Sequence, residues 1–63
     1  MKPQAGQLWI SKNKWKGGNI VVVDAIVEYS IRDNDVIYFY YLSTNQLQKH
    51  FLVSFINVFD YLQ

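Results

Sequence analysis

The sequence contains no cysteine, one histidine and one proline, and it has no long apolar run. Without cysteine there is neither a disulfide framework nor a thiolate metal site, and one histidine cannot build a usual zinc site. We therefore predict no metal and no cofactor. No apolar stretch approaches the roughly 20 residues that a membrane-spanning helix needs. The first four residues also lack the apolar core of a signal peptide, so we expect a cytosolic protein without membrane contact.

The length allows one small domain, which we place at 1–63. A chain of 63 residues lies near the lower limit for folding without disulfides or metals, so it has room for a single core. Half of the residues are apolar, and the aromatic supply is rich, with two Trp, five Tyr and four Phe. Large aromatic side chains let a small core bury much apolar surface.

The clearest periodic segment is 20–32, in which apolar and polar residues alternate as in a half-buried strand. The residues expected on the buried face are Val21, Val23, Ala25, Val27, Tyr29 and Ile31. A straight strand of this length, at about 3.3 Å per residue, is too long for so small a domain. We therefore predict a bend or β-bulge near Asp24 and Ala25.

Four further strands are predicted from short apolar or alternating runs bounded by turn residues, at 7–11, 36–42, 46–52 and 60–63. Turns are expected at 33–35 and 43–45, which makes 20–42 a β-hairpin and the strand at 46–52 antiparallel to its predecessor. Ser54 is a candidate N-cap for one helical turn that points Phe55 and Phe59 into the interior. The pattern predicts a mainly β fold, a small five-stranded barrel with one short helical turn before the last strand.

Several landmarks together resemble a known class of domain. They are the opening Lys2-Pro3-x-x-Gly6-x-x-Trp9, the Val-rich central strand, Val27-x-Tyr29, and the closing Ser54-Phe55-x-x-x-Phe59. The chain resembles small SH3-like β-barrel domains of unknown function from phages and bacteria. This implies a location in the bacterial cytosol, or in the host cytosol for a phage-encoded protein.

The resemblance extends more distantly to other barrels. The Gly6 to Trp9 opening is similar to the start of MazF-type toxins, although such a toxin is about twice this length and its catalytic arginine motif has no match here. KOW and Tudor-like domains use the same architecture to bind nucleic acids or protein tails. The resemblance implies a fold and assigns no functional residue.

The strand at 36–42 is apolar or aromatic on both faces, and only one face can point into a core. Alternation places Tyr38 and Tyr40 on one face and Ile37, Phe39 and Tyr41 on the other, without deciding which face is outside. Either the C-terminal segment covers the second face, or a partner does. We predict a small non-enzymatic binding module, a phage-type accessory or inhibitory protein that binds a host or phage protein, or itself, through an aromatic surface. The predicted contact residues are Tyr38, Tyr40 and Tyr41.

The alternative is a nucleic-acid-binding domain that uses a basic loop. Four lysines and no acidic residue occur among the first nineteen residues. In the loop, lysines suit phosphates and a tryptophan suits base stacking, which makes Lys12, Lys14, Trp15 and Lys16 the candidates, with Lys2 as a neighbour. An ordinary solvated loop, with Trp15 folded over an open barrel end, explains the same residues.

Catalytic and cation-binding interpretations are weaker. His50 is a possible general base, with Ser54, Asp60 or Glu28 as partners, but a lone histidine in a small β domain is usually an edge residue. Asp33 and Asp35 are explained by hairpin turn chemistry without a cation. We therefore predict that the protein is not an enzyme.

Overall fold

The computed structural model describes residues 2–12, 19–28 and 35–63. Within these ranges the chain is mainly β, as predicted, with five strands and one short helix. In chain order the elements are β1 (Leu8–Ser11), β2 (Ile20–Val27), β3 (Val36–Tyr41), β4 (Leu47–Phe51), α1 (Leu52–Val58) and β5 (Phe59–Tyr61).

The strands form one sheet in the order β4-β3-β2-β1-β5, and every neighbouring pair is antiparallel. This confirms the pairing of β2 with β3 and of β3 with β4. Residues 33 and 34 of the predicted hairpin turn lie outside the described residues. The sheet is open, with β4 and β5 at its edges, so closure into a barrel is not shown. In the chain, α1 links these two edge strands.

The β-bulge in β2 occurs where the sequence predicts it. The pairing register with β3 shifts between Val23 and Ala25, so Asp24 is the extra residue. A bulge bends the strand and increases its twist. Residues 29–32, predicted to continue this strand, lie outside the described residues.

The bulge also reverses which residues of β2 face the core. Before it, Val21 and Val23 are buried; after it, Ile26 packs against the core, whereas Ala25 and Val27 are exposed. The prediction that Ala25 and Val27 share the buried face is therefore wrong. One extra residue shifts the two-residue period, so the alternation cannot continue through the bulge unchanged.

The core lies between the inner face of the sheet and α1. Its buried residues are Trp9, Val21, Val23, Ile37, Phe39, Phe55 and Phe59. The Phe55 ring centroid lies 5.2 Å from that of Phe39 and 4.9 Å from that of Phe59. Phe55 and Phe59 both point inward, as predicted, but Phe59 begins β5 and does not belong to the helical turn.

The start of α1 differs from the prediction. The helix begins at Leu52, and the preceding Phe51 is extended and makes no side-chain cap hydrogen bond. Ser54 lies inside the helix, so its prediction as N-cap is wrong. The Leu52 N–H donates to the Asp35 carbonyl at 2.8 Å, so a backbone group next to β3 satisfies a helix-start donor that a side chain would otherwise cap.

A tight turn brings the chain into β1 and fixes Trp9. The Gln7 N–H donates to the Gln4 carbonyl at 3.1 Å, and Gly6 has φ 90°, as a type II turn requires at its third position. The Gln7 side-chain oxygen accepts from the Gln4 N–H at 2.8 Å and from the Trp9 indole N–H at 3.2 Å. Trp9 is only 4% exposed and belongs to the core.

The turn predicted at 43–45 is confirmed. The Asn45 N–H donates to the Tyr41 carbonyl at 2.7 Å, and the Tyr41 N–H donates to the Gln46 carbonyl at 3.1 Å. Asn45 has φ 58°, a left-handed conformation that asparagine adopts more readily than most residues. The turn sets the register between β3 and β4.

We expect Gly6→Ala to lower the free energy of unfolding by about 1–2 kcal/mol, because an L-residue with a β-carbon is strained in the left-handed region. A β-carbon at this position meets no atom within 4 Å, so the cost comes from the backbone alone. Urea unfolding followed by tryptophan fluorescence measures it. Gly6→Asn should lose less, and equal stability of Gly6→Ala and the parent protein would contradict the assignment.

We expect Phe55→Ala to leave the protein largely unfolded. Removing a buried phenylalanine costs about 3–5 kcal/mol, which is as much as a core of this size usually supplies. Ile56→Ala is the matched control, because Ile56 lies on the same helix and is 39% exposed; it should retain the fold. Near-ultraviolet circular dichroism distinguishes the two, and a folded Phe55→Ala variant would refute the placement of α1.

Candidate interaction surface

The alternation of β3 decides which tyrosines face outward. Ile37 and Phe39 are fully buried, so Tyr38 and Tyr40 lie on the opposite, outer face of the sheet, where both are partly buried. Tyr41 shares the inner side, and its ring centroid lies 6.0 Å from that of Phe39. The structure therefore brings together two of the three predicted contact residues and places the third against the core.

Neighbouring strands extend the outer face around these tyrosines. Residues directly opposite each other in an antiparallel sheet share a face, so the pairing registers define rows across the strands. Ile10, Ile20 and Asp60 form one row toward β5, and three further rows contain or adjoin the two tyrosines. These three rows are Leu8, Val22, Tyr40 and Leu47; Ala25, Tyr38 and Lys49; and Val27, Val36 and Phe51. We call these ten residues the outer surface. Nine of them are apolar or aromatic.

Strand β4 turns its apolar side chains outward and its polar side chains inward. Its apolar residues Leu47 and Phe51 point outward and are 58% and 57% exposed, whereas Gln48 and His50 lie on the inner side and are partly buried. A surface strand normally buries its apolar side and exposes its polar side. The orientation of β4 instead adds apolar area to the outer surface.

Lys49 is the one charged residue of the outer surface. It is exposed and lies directly across from Tyr38. Among the described residues, no carboxylate makes an ion pair with it. The surface therefore combines a broad apolar area with a single positive charge at its β4 side.

The C-terminal segment does not cover this surface. Phe55 of α1 packs edge-to-face on Trp9 at 5.2 Å, so the helix lies on the inner face of the sheet. β5 lies beyond β1, at the far edge from β4.

A shallow depression of about 240 Å³ is lined by Asn19, Ile20, Leu42 and Ser43.

Lys2, at the basic end of the sequence, is engaged by acids. Its ammonium nitrogen lies 3.0 Å from a Glu28 carboxylate oxygen and 3.2 Å from an Asp35 oxygen. The hydrogen bond to Glu28, followed by that to Asp35, raises the pKa of Lys2 above its ordinary value of 10.5. Acids that are distant in sequence thus neutralise one of the lysines proposed for nucleic-acid contact.

The remaining candidates for nucleic-acid contact divide into two groups. The Lys12 ammonium nitrogen lies 3.9 Å from an Asp60 carboxylate oxygen, at the limit of an ion pair, and both side chains are about half exposed. Lys14, Trp15 and Lys16 lie outside the described residues. Both described lysines of the basic end, Lys2 and Lys12, therefore lie close to carboxylates.

His50 packs on the core. Its ring stacks on that of Phe39, with centroids 5.2 Å apart and an interplanar angle of 12°. Among the described residues, no hydrogen bond joins His50 to Ser54, Asp60 or Glu28. Nor does that part of the chain contain a group of three metal-ligating side chains placed to hold an ion.

The sequence interpretation missed the contribution of β4 to the surface. It treated 46–52 as a polar strand, although Leu47, Lys49 and Phe51 alternate with Gln48 and His50 in a clear two-residue period. That period shows two faces, but the usual rule assigns the apolar one to the core. Only the pairing register with β3 shows that it points outward.

Comparison with models of protein families gave no match, and neither curated proteins nor solved structures matched the chain. Within the described ranges, no helix has the length and apolar character needed to cross a membrane.

We expect Lys2→Met to lower stability at neutral pH and low salt. Lys2 has a raised pKa in the folded state, so its contribution is fully present below pH 10.5 and is lost as the pH rises through the higher folded value. Screening in about 1 M salt should also reduce the difference. Lys49→Met is the control, because Lys49 makes no ion pair within the part of the chain that the structure describes. Equal urea midpoints for both variants under all conditions would contradict the ion pairs of Lys2.

Proposed function

We propose that the protein is a small non-catalytic interaction module that binds a protein partner through the outer surface. The observation that carries this proposal is the orientation of β4, which turns Leu47 and Phe51 outward while Gln48 and His50 face the core side. A soluble strand in this orientation exposes apolar area at a cost, unless another surface covers it.

The residues of the surface suit a protein interface. Tyrosine and phenylalanine are enriched in interface cores, and charged residues are depleted there. Tyr38 and Tyr40 lie near the centre of the three rows, with Phe51 at one corner and the single charge, Lys49, at the β4 side. An apolar centre with a charge at its edge favours a partner whose own apolar patch carries an acidic residue at its margin.

The proposal includes the finer fold. A sheet in the order β4-β3-β2-β1-β5, with a short helix before the last strand, supports an SH3-like barrel in which the bent β2 lets the sheet curl while β4 and β5 stay unpaired with each other. With the resemblance to phage and bacterial domains, this supports our proposal of a phage-type accessory or inhibitory protein that binds a host or phage protein in the bacterial cytosol, or in the host cytosol if the protein is phage-encoded. Catalysis forms no part of the proposal.

Binding of nucleic acid ranks below protein binding. Its candidate residues begin with Lys2 and Lys12, and both lie close to carboxylates. An acidic side chain beside a lysine competes with phosphate for the ammonium group and repels the phosphate backbone. The outer surface adds only Lys49 to the positive charge available for phosphates.

The test begins with tagged protein in bacterial lysate, with and without nuclease, washed at low and then high salt. We expect a defined protein to remain bound after nuclease and high salt, because burial of apolar surface is not screened by ions. With the recovered protein purified, Tyr38→Thr with Tyr40→Thr should weaken binding at least about tenfold, as loss of central aromatic contacts does. Isothermal titration calorimetry measures the change.

The control removes apolar area from another surface. Val53 and Ile56 of α1 are 46% and 39% exposed, and their replacement by threonine should leave binding unchanged. Equal loss of binding in both double variants would contradict the outer surface as the site. Recovery of nucleic acid that is released by salt, without a bound protein, would refute the proposal in favour of the basic loop.

A further inference from the structure

Within the described residues, β4 and β5 each have one strand neighbour, and some of their backbone groups point away from it. In β4, the hydrogen bonds of Tyr41 with Gln46 and of Leu52 with Asp35 show that even-numbered residues face β3. The backbone groups of residues 47, 49 and 51 therefore point to the open edge. The hydrogen bonds of β5 identify its open edge in the same way.

At β5, the Lys12 N–H donates to the Val58 carbonyl, and the Leu62 N–H donates to the Leu8 carbonyl. Residues 58, 60 and 62 thus face β1, and the backbone carbonyls of Phe59 and Tyr61 point to the other edge, together with the Tyr61 N–H. The Phe59 N–H is already bonded to the Phe55 carbonyl. Each edge therefore offers main-chain partners for an additional strand.

The side chains beside the two edges are complementary. At β4, exposed Lys49 stands between Leu47 and Phe51, which are 58% and 57% exposed. At β5, exposed Asp60 lies two positions before Leu62, which is 43% exposed and directly follows the strand. The β4 edge carries a cation between two apolar residues, and the β5 edge carries an anion near one apolar residue.

Pairing of β4 with a second β4 does not use this pattern. A symmetric antiparallel pair centred on the strand places Lys49 opposite Lys49 of the second copy, and like charges directly opposite each other are destabilising. A lysine on an edge strand protects against such pairing. The complementary edge of a second copy is β5.

The backbone pattern selects a parallel arrangement. In a parallel pair of strands, a residue whose N–H and C=O point toward the other strand lies opposite a residue whose N–H and C=O point away from it. The N–H and C=O of Lys49 point to the open edge, whereas those of Asp60 point to β1. The two residues can therefore lie opposite each other in a parallel pair. An antiparallel pair would instead match Lys49 with Phe59 or Tyr61, whose side chains lie on the inner face.

We propose that the protein assembles head to tail, with β4 of one copy adding in parallel to β5 of the next. Lys49 then lies opposite Asp60 of the second copy, with Phe51 beside Leu62. Three main-chain hydrogen bonds form: from the Lys49 N–H to the Phe59 carbonyl, from the Tyr61 N–H to the Lys49 carbonyl, and from the Phe51 N–H to the Tyr61 carbonyl. The outer surfaces of successive copies then form one continuous face.

This inference rests on the backbone edges of β4 and β5, although Leu47, Lys49 and Phe51 of the β4 edge also belong to the outer surface. Because β5 has only three residues, the contact is short and belongs to the weak, transient size class of interfaces. Lys12, at 3.9 Å, already neighbours Asp60, so the new lysine joins an existing loose pair rather than an isolated acid. We expect a dissociation constant on the order of 100 µM.

The test is a charge exchange followed by sedimentation velocity at low salt, with protein from about 10 µM to about 1 mM, which spans the expected constant. Lys49→Glu alone places an acid opposite Asp60, and Asp60→Lys alone places two lysines opposite each other. Each variant should associate at least about tenfold more weakly than the parent protein. A mixture of the two variants should associate again, because each edge then meets a complementary edge of the other variant.

Asp24→Lys is the matched control, since Asp24 is an exposed acid at the bulge of β2, away from both edges. It should associate like the parent protein, and circular dichroism confirms that every variant is folded. A parent protein that stays monomeric at the highest concentration overturns the proposal. Association that both single variants retain, or that the mixture fails to restore, also overturns it and assigns self-contact to another surface. If either single variant does not fold, Lys49→Gln and Asp60→Asn replace the pair and should each weaken association.

Discussion

The ring of Phe39 is the contact on which the rest of the structure depends. It lies at the middle of β3, fully buried, with Phe55, Phe59, Tyr41 and His50 around it at centroid distances of 5.2–6.0 Å. These rings come from three strands and the helix, so one side chain joins both edges of the sheet and α1. In a domain this small, such a shared aromatic contact supplies a large part of the core.

The inward orientation of Phe39 also determines which side chains of the sheet point outward. Side chains alternate along β3, so Tyr38 and Tyr40 must lie on the opposite face once Phe39 and Ile37 are buried. Val22 and Leu47 pair directly with Tyr40, so they also lie on the outer face. The same constraint that builds the core therefore creates an apolar surface on the other side of the sheet, and the proposed function follows from it.

Much of the strand framework was predictable from the sequence, because local alternation and turn residues determine it. The bulge near Asp24, the turn at 43–45 and the inward rings of Phe55 and Phe59 are confirmed. The helix start was not predictable, because its first N–H is bonded to Asp35, seventeen positions away in the sequence. The outer surface and the acid partners of Lys2 also depend on long-range pairing, which a local pattern does not contain.

The β-bulge has a consequence for how the chain tolerates changes in length. The residues on either side of Asp24 pair with adjacent residues of β3, Val23 with Phe39 and Ala25 with Tyr38. Deletion of Asp24 would therefore shorten the strand by one residue without moving any other side chain to the opposite face. Homologous sequences are expected to differ in length here while keeping the same pattern of inward residues, and an alignment should place its gap at this position.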